Sequence, residues 1–164
     1  MQRYEAALSR YIHRLTFVDP DDAADILQDS FIHAYRHLND YDFDFKFSSW
    51  IYRIVHNQSV NFLKKHHRHP RLVIEDGQDE IVDWLTSDTD IEKETIDLHF
   101  SDYIQTLLDR LRPEYKSVLI LKFFESKDYQ EISDILQKPM GTVATLISRA
   151  KIEFKKLYDQ QKNH

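Results

Sequence analysis

Thr145, Ser148, Arg149 and Lys156 recur near the C-terminus at spacings that place them along one side of a helix. Their chemistry is recognition: hydroxyls and a guanidinium can meet base edges in a major groove, and later basic side chains can meet phosphate. The helix that must carry them is legible from its other side, where Val143, Ile147, Ala150, Phe154 and Leu157 recur at steps of four, three, four and three. A shorter helix precedes it. Asp128 stands at its cap position with Glu131 three residues on, the spacing of a capping box, and Tyr129, Ile132, Ile135 and Leu136 form its apolar stripe. Pro139 and Gly141 interrupt the pattern, because proline lacks an amide donor and glycine admits backbone angles that other residues resist. The whole stretch from Asp128 to Tyr158 therefore reads as a helix-turn-helix, against the plainer alternative of a helical hairpin with no ligand.

A second set of residues suits unpaired bases. Tyr41, Phe43, Phe45, Phe47, Trp50 and Tyr52 fall within twelve positions, and aromatic rings stack on any base. Lys46, Arg53, Asn57, Asn61, Lys64, Lys65 and Arg68 lie beside them. Their competing role is to fill a small helical core. Two further clusters invite metal chemistry. Asp21, Asp22 and Asp25 make a DDxxD run that can hold Mg²⁺ against a diphosphate, but no second acidic cluster faces it and Asp19-Pro20-Asp21-Asp22 is explained as a helix start. His66, His67 and His69 lack the i, i+4 spacing that puts two imidazoles on one helix face. No Ser/His/Asp set or glycine-rich phosphate loop occurs, so the expectation is a non-enzyme that needs no cofactor and no metal.

The elements that position these groups are helices. The chain has 164 residues, two glycines, four prolines and no cysteine, and its apolar residues recur mostly at three and four. The first helix, Arg3 to Phe17, buries Tyr4, Leu8, Tyr11, Ile12 and Leu15. The next runs from Pro20 to about Leu38 with Ala24, Leu27, Phe31, Tyr35 and Leu38 inward, and Asp25, Gln28, Asp29 and His33 outward. A loop from Asn39 leads to a helix from about Ser49 to His66. Residues 70–89 form an acidic linker with an apolar patch at Ile81, Val82, Trp84 and Leu85. A helix from near Asp90 to Leu111, another from Pro113 and the helix-turn-helix complete a four-helix unit. The net charge of −6 is concentrated in the middle: residues 1–69 sum to zero, 70–100 to −8 and 101–164 to +2. Nucleic-acid binding depends on local patches, so the acidic total does not exclude it. Without cysteines, an apolar run of spanning length or a leader, the chain reads as a cytoplasmic protein with no membrane insertion.

Three ordered stretches resemble the bacterial RNA polymerase sigma factors of the sigma-70 family, in its extracytoplasmic-function group. Asp22-Ala-Ala-Asp-Ile-Leu-Gln-Asp-Ser-Phe-Ile-His-Ala-Tyr-Arg36 is similar to the family's region 2.1–2.2. Phe47-Ser-Ser-Trp-Ile-Tyr-Arg-Ile-Val-His-Asn57 resembles region 2.3, and Asn61 to Arg68 resembles region 2.4. Leu111-Arg-Pro-Glu-Tyr115, Tyr129-Gln-Glu-Ile132, Gly141-Thr-Val143 and Ser148-Arg-Ala-Lys151 resemble region 4.

The resemblance implies an all-α protein of two small domains, region 2 over 1–69 and region 4 over 90–164, joined by the linker. It implies a factor that binds core RNA polymerase, through Asp25, Gln28, Asp29, Phe31 and Ile32, and directs it to specific promoters. The −10 element would be captured as a melted single strand by Lys46, Ser49, Trp50, Arg53, Asn57, Asn61, Lys64 and Lys65, with the loop from Asn39 to Ser49 holding a flipped base. The −35 element would be read as duplex by Thr142, Ala144, Thr145, Ser148, Arg149 and Lys151. An anti-sigma factor is the further partner implied. The chain departs from the family in carrying Ala144 and Leu146 where basic residues are frequent, and its first helix is shorter than usual. The alternatives are a stand-alone helix-turn-helix regulator of duplex DNA, which leaves the aromatic loop unexplained, and a Mg²⁺-dependent helical enzyme built on Asp21, Asp22 and Asp25.

Overall fold

The computed structural model describes residues 2–66 and 102–162, and every regular element among them is helical. The linker with Ile81 to Leu85, the helix start near Asp90, and His67, Arg68 and His69 lie outside the described residues.

Helices α1 (Gln2–Thr16), α2 (Pro20–Arg36) and α3 (Phe47–His66) pack on one another as the first unit. Asp19 caps α2, its Oδ1 accepting from the Asp22 amide at 2.9 Å, and Pro20 follows where a missing amide costs nothing. Thus Asp19 to Asp22 serve the helix start. On α1 the expected stripe is inward: Leu8, Tyr11, Ile12 and Leu15 are buried and Tyr4 packs at the edge.

Helix α2 is rotated from the expected orientation. Its buried residues are Ala23, Ile26, Leu27, Ser30 and Ala34, while Ala24 is exposed, Phe31 is half-buried and Tyr35 and Leu38 face water. The helix has apolar residues on two adjoining stripes. It lies against both α1 and α3, and the stripe built on Ala23, Ser30 and Ala34 goes inward because small side chains let helix axes approach closely. Of the bulkier stripe, Leu27 is buried and Phe31 half-buried, and the rest is left outside.

The second unit contains α4 (Asp102–Asp109), α5 (Pro113–Leu119), a π-helical turn (Ile120–Phe124), α6 (Tyr129–Leu136) and α7 (Met140–Lys162). Helix α7 is its spine, packing against α4, α5 and α6. All five residues expected to face inward on α7, from Val143 to Leu157, are buried. Lys116 is buried as well, with its ammonium on Asp109; burial lowers its pKa and the carboxylate opposes that shift. The capping box of α6 is complete, with the Asp128 carboxylate on the Glu131 amide at 2.7 Å and Glu131 returning to the Asp128 amide at 2.9 Å.

Gly141 is not the residue that makes the turn between α6 and α7. The left-handed position is Gln137, with φ 53° and ψ 47°, at the end of α6. Ser133 fastens this turn through its hydroxyl to the Lys138 carbonyl at 2.6 Å. Gly141 sits in the first turn of α7, and a Cβ there would meet nothing within 4 Å.

Candidate nucleic-acid interface

On α7 the expected reading face is outward. Thr142, Thr145, Ser148 and Arg149 are exposed, and Ala144 and Lys151 are half-buried. Thr145 donates its hydroxyl to the Gly141 carbonyl at 3.0 Å, which satisfies that hydroxyl within the helix. Lys151 Nζ stands 5.9 Å from the centre of the Phe123 ring, so it is anchored at the edge of the face. Leu146 is also half-buried and packs against the core. Ile152, exposed at 69%, and Lys156 extend the same side.

On α3 the candidates divide into two groups. Asn57, Asn61, Lys64 and Lys65 are exposed and Arg53 is half-buried; steps of four and three align them along one side. Ser49 and Trp50 are not on that surface. Ser49 is buried with its Oγ unpaired among the described residues. Trp50 is 6% exposed, held between Tyr41 at 5.3 Å and Phe47 at 5.4 Å between ring centres. Both were expected to touch DNA, and in this conformation both belong to the interior. The cause is the ring cluster itself: Tyr4, Tyr41, Phe47 and Trp50 bury one another's area in tilted and edge contacts.

The ring left furthest outside is Phe43, 90% exposed, with Phe45 at 41%. It is carried on a short turned segment rather than a strand. The Tyr41 hydroxyl donates to the Phe45 carbonyl at 2.6 Å, and the Asp44 amide donates to the Asp42 carboxylate at 2.9 Å. The Tyr41 ring meets Phe43 edge-on at 5.1 Å. Phe43 was one of six aromatics in the sequence with nothing local to separate it, since Tyr41 also stands between two aspartates and is half-buried. Lys46 follows it, with Nζ 3.4 Å from Glu131 and 3.9 Å from Asp128.

Beneath this surface, the Tyr11 hydroxyl and His56 Nδ1 lie 2.8 Å apart. Burial lowers the His56 pKa to about 4, so the ring is neutral near pH 7. Tyr52 is held well above its ordinary value by burial and then by Glu125, and remains a hydrogen-bond donor.

The outer stripe of α2 forms a third surface. Ala24, Leu27, Gln28, Phe31, Ile32 and Tyr35 line an open groove of about 510 Å³ with Glu5 at its rim. Asp25 and Asp29 are exposed beside it, Ile32 is 42% exposed and Tyr35 is 76% exposed. All five residues expected to meet the polymerase are thus at or near one apolar, acid-edged patch. No described helix is long and apolar enough to cross a membrane.

Residues 1–69 match sigma-70 region 2, and residues 101–153 match sigma-70 region 4. The chain is 32% identical over 142 residues to the ECF RNA polymerase sigma factor SigW of Bacillus subtilis, covering 82% of this chain and 74% of that protein. It is 28% identical to the ECF RNA polymerase sigma-E factor of Haemophilus influenzae, covering 92% and 81%. The fold is similar to the sigma factor RpoE solved with the anti-sigma factor NepR from Bartonella quintana, with a TM-score of 0.67 at 18% identity over 96% of this chain and 95% of that one. It is also similar to CnrH solved with the cytosolic domain of CnrY, with a TM-score of 0.65 at 18% identity over 97% and 84%. With both regions present in order and a relative above 30% identity, the chain belongs to the sigma-70 family as an extracytoplasmic-function sigma factor.

Proposed function

We propose that this sigma factor binds core RNA polymerase in the cytoplasm through the acid-edged groove of α2, with Asp25, Gln28, Asp29, Phe31 and Ile32 in contact. The polymerase-bound factor reads the −35 element as duplex through Thr142, Ala144, Thr145, Ser148, Arg149 and Lys151. It holds the −10 element as a single strand along Lys46, Arg53, Asn57, Asn61, Lys64 and Lys65, with Phe43 as the ring on which an extruded base stacks. Extrusion costs a few kcal/mol, which stacking offsets by about 1–3 kcal/mol per base. Ser49 and Trp50 support the loop from below. The working division is region 2 over 1–69, an acidic linker over 70–89 and region 4 over 90–164.

The observation that carries this reading is the pairing of two polar faces on one chain, each backed by its own buried stripe, in the order of regions 2 and 4. The stand-alone regulator accounts for α7 alone and leaves the α2 groove and Phe43 without a role. An anti-sigma factor is the further partner, as for the two structural neighbours solved with theirs. The test is run-off transcription with core polymerase on a pool of genomic promoters. Discrete starts that require this protein support the proposal. A duplex shift by the protein alone, with no gain of polymerase specificity, favours the regulator.

A further inference from the structure

Glu125 follows the π-helical turn of the second unit and touches two helices of the first, α1 and α3. Its Oε1 accepts from Arg14 Nη1 on α1 at 2.7 Å, and its Oε2 accepts from the Tyr52 hydroxyl on α3 at 2.7 Å. The side chain is only 5% exposed. The turn's geometry aims it there: the Glu125 amide bonds the Ile120 carbonyl at 3.0 Å, five residues back, and the Lys127 amide bonds the Leu121 carbonyl at 2.9 Å. Around the carboxylate, Arg14 lies over the Phe124 ring at 5.5 Å and Lys127 lies over the Tyr52 ring at 4.2 Å. Gln105 on α4 donates to the Arg14 carbonyl at 3.0 Å. Lys46, a candidate for the −10 strand, is turned instead toward Glu131 in the capping box of α6. Contacts from α1, α3 and the −10 loop thus converge on one side of the second unit, where α6 packs on α3.

That packing brings the two reading helices close. Helix α6 touches both α3 and α7, and at about 10 Å per packed pair the reading helices lie within about 20 Å of each other. The −10 and −35 elements are centred about 25 base pairs apart, about 85 Å of duplex at 3.4 Å per pair. One closed chain cannot hold both. The 35 residues between His66 and Asp102 reach at most about 120 Å when extended, so the covalent connection permits separation.

We propose that Glu125 is an intramolecular latch that stores the free sigma factor with its two readers together, and that release of Glu125 by Arg14 and Tyr52 precedes engagement of both promoter elements. The latch is a charge-assisted pair of hydrogen bonds to a buried carboxylate, strong while closed and dependent on both donors. On opening, all three groups return to water, where each is solvated. The same closure occupies Lys46 with carboxylates that compete for the place of phosphate. The need for release rests on the two-element reading above; the latch itself is testable without DNA.

The chain has no cysteine, so fluorophores placed through Ser9→Cys and Asp159→Cys, both exposed, report the distance between the units by energy transfer. Wild type shows one short distance alone and a long one when bound to core polymerase on a promoter. Glu125→Ala raises the extended population of the free protein about tenfold or more, the scale of a lost charged hydrogen bond, with helical circular dichroism unchanged. Tyr52→Phe removes one donor and opens the protein less, which keeps the test valid if Glu125→Ala fails to fold. An unchanged short distance in folded Glu125→Ala and Tyr52→Phe overturns the latch, and so does a short distance that persists in a transcribing complex. If the latch opens as described while run-off transcription shows no promoter use, the promoter reading fails and the latch stands.

Discussion

The two surfaces proposed to read DNA are built in opposite ways. On α7 the division is simple: one stripe is wholly buried, from Val143 to Leu157, and the polar residues across from it are exposed. On α3 and the segment that leads into it, the same kind of residue serves both sides. Trp50 and Phe47 are aromatic and structural, Phe43 is aromatic and exposed, and the polar row of Asn57, Asn61, Lys64 and Lys65 runs along the outside. A duplex-reading helix offers side chains to a groove and needs its core only as support. A surface for an unpaired strand needs rings at the surface, and rings at a surface require other rings beneath to hold them. Trp50 and Phe43 should therefore respond to substitution in different currencies, one in stability and the other in promoter opening.

The largest effect tests that split. Trp50→Ala should cost about 3–5 kcal/mol of stability, the range for removing a buried aromatic, seen in thermal or denaturant unfolding. Phe43→Ala should leave unfolding unchanged within about 0.5 kcal/mol while reducing promoter opening. Equal effects of both on stability would erase the distinction between the rings.

His56 sharpens the picture of the first unit. Its pKa is about 4 when folded and near 6.5 unfolded. The unfolded chain therefore takes up the proton first as pH falls. The stability tied to the neutral ring is complete above about pH 6.5 and is lost progressively toward pH 4, by up to about 3 kcal/mol at 1.36 kcal/mol per unit. Urea titrations across this window should show His56→Gln with a shallower pH dependence than wild type.

On α7 smaller effects are expected. Arg149→Ala should weaken −35 discrimination by about 1–3 kcal/mol, if the guanidinium meets a base pair through two hydrogen bonds. Lys156→Ala should weaken binding evenly across sequences and reduce the salt slope by about one. Gly141→Ala should be neutral to stabilising by up to about 1 kcal/mol, since a Cβ there meets only open space. Competition binding to duplexes of differing sequence separates the first two, and thermal unfolding checks the third.

These regions also differ in how legible they were in the sequence. Periodicity alone gave the α7 core and its outward face, because one stripe of apolar residues admits one orientation, and the spacing of Asp128 and Glu131 gave the capping box before it. Helix α2 carried two apolar stripes, and periodicity selected the bulkier one around Phe31 and Tyr35. Packing favoured the stripe with Ala23, Ser30 and Ala34, since α2 lies against two helices. In the aromatic loop, composition announced the cluster and could not rank its rings; the ranking follows from which of them meet each other. Glu125 had no sequence signature at all. A lone glutamate after a helix is ordinary, and its importance comes from a π-helical turn and from contacts more than 70 residues away.

The division of labour between the two surfaces is tested most directly by permanganate footprinting of unpaired thymines on one promoter, with core polymerase and saturating wild-type, Phe43→Ala or Arg149→Ala protein. Phe43→Ala should occupy the promoter and leave the −10 thymines unreactive, whereas Arg149→Ala should need more protein for occupancy and then melt the −10 element as wild type does. Loss of the same step in both variants would contradict the account.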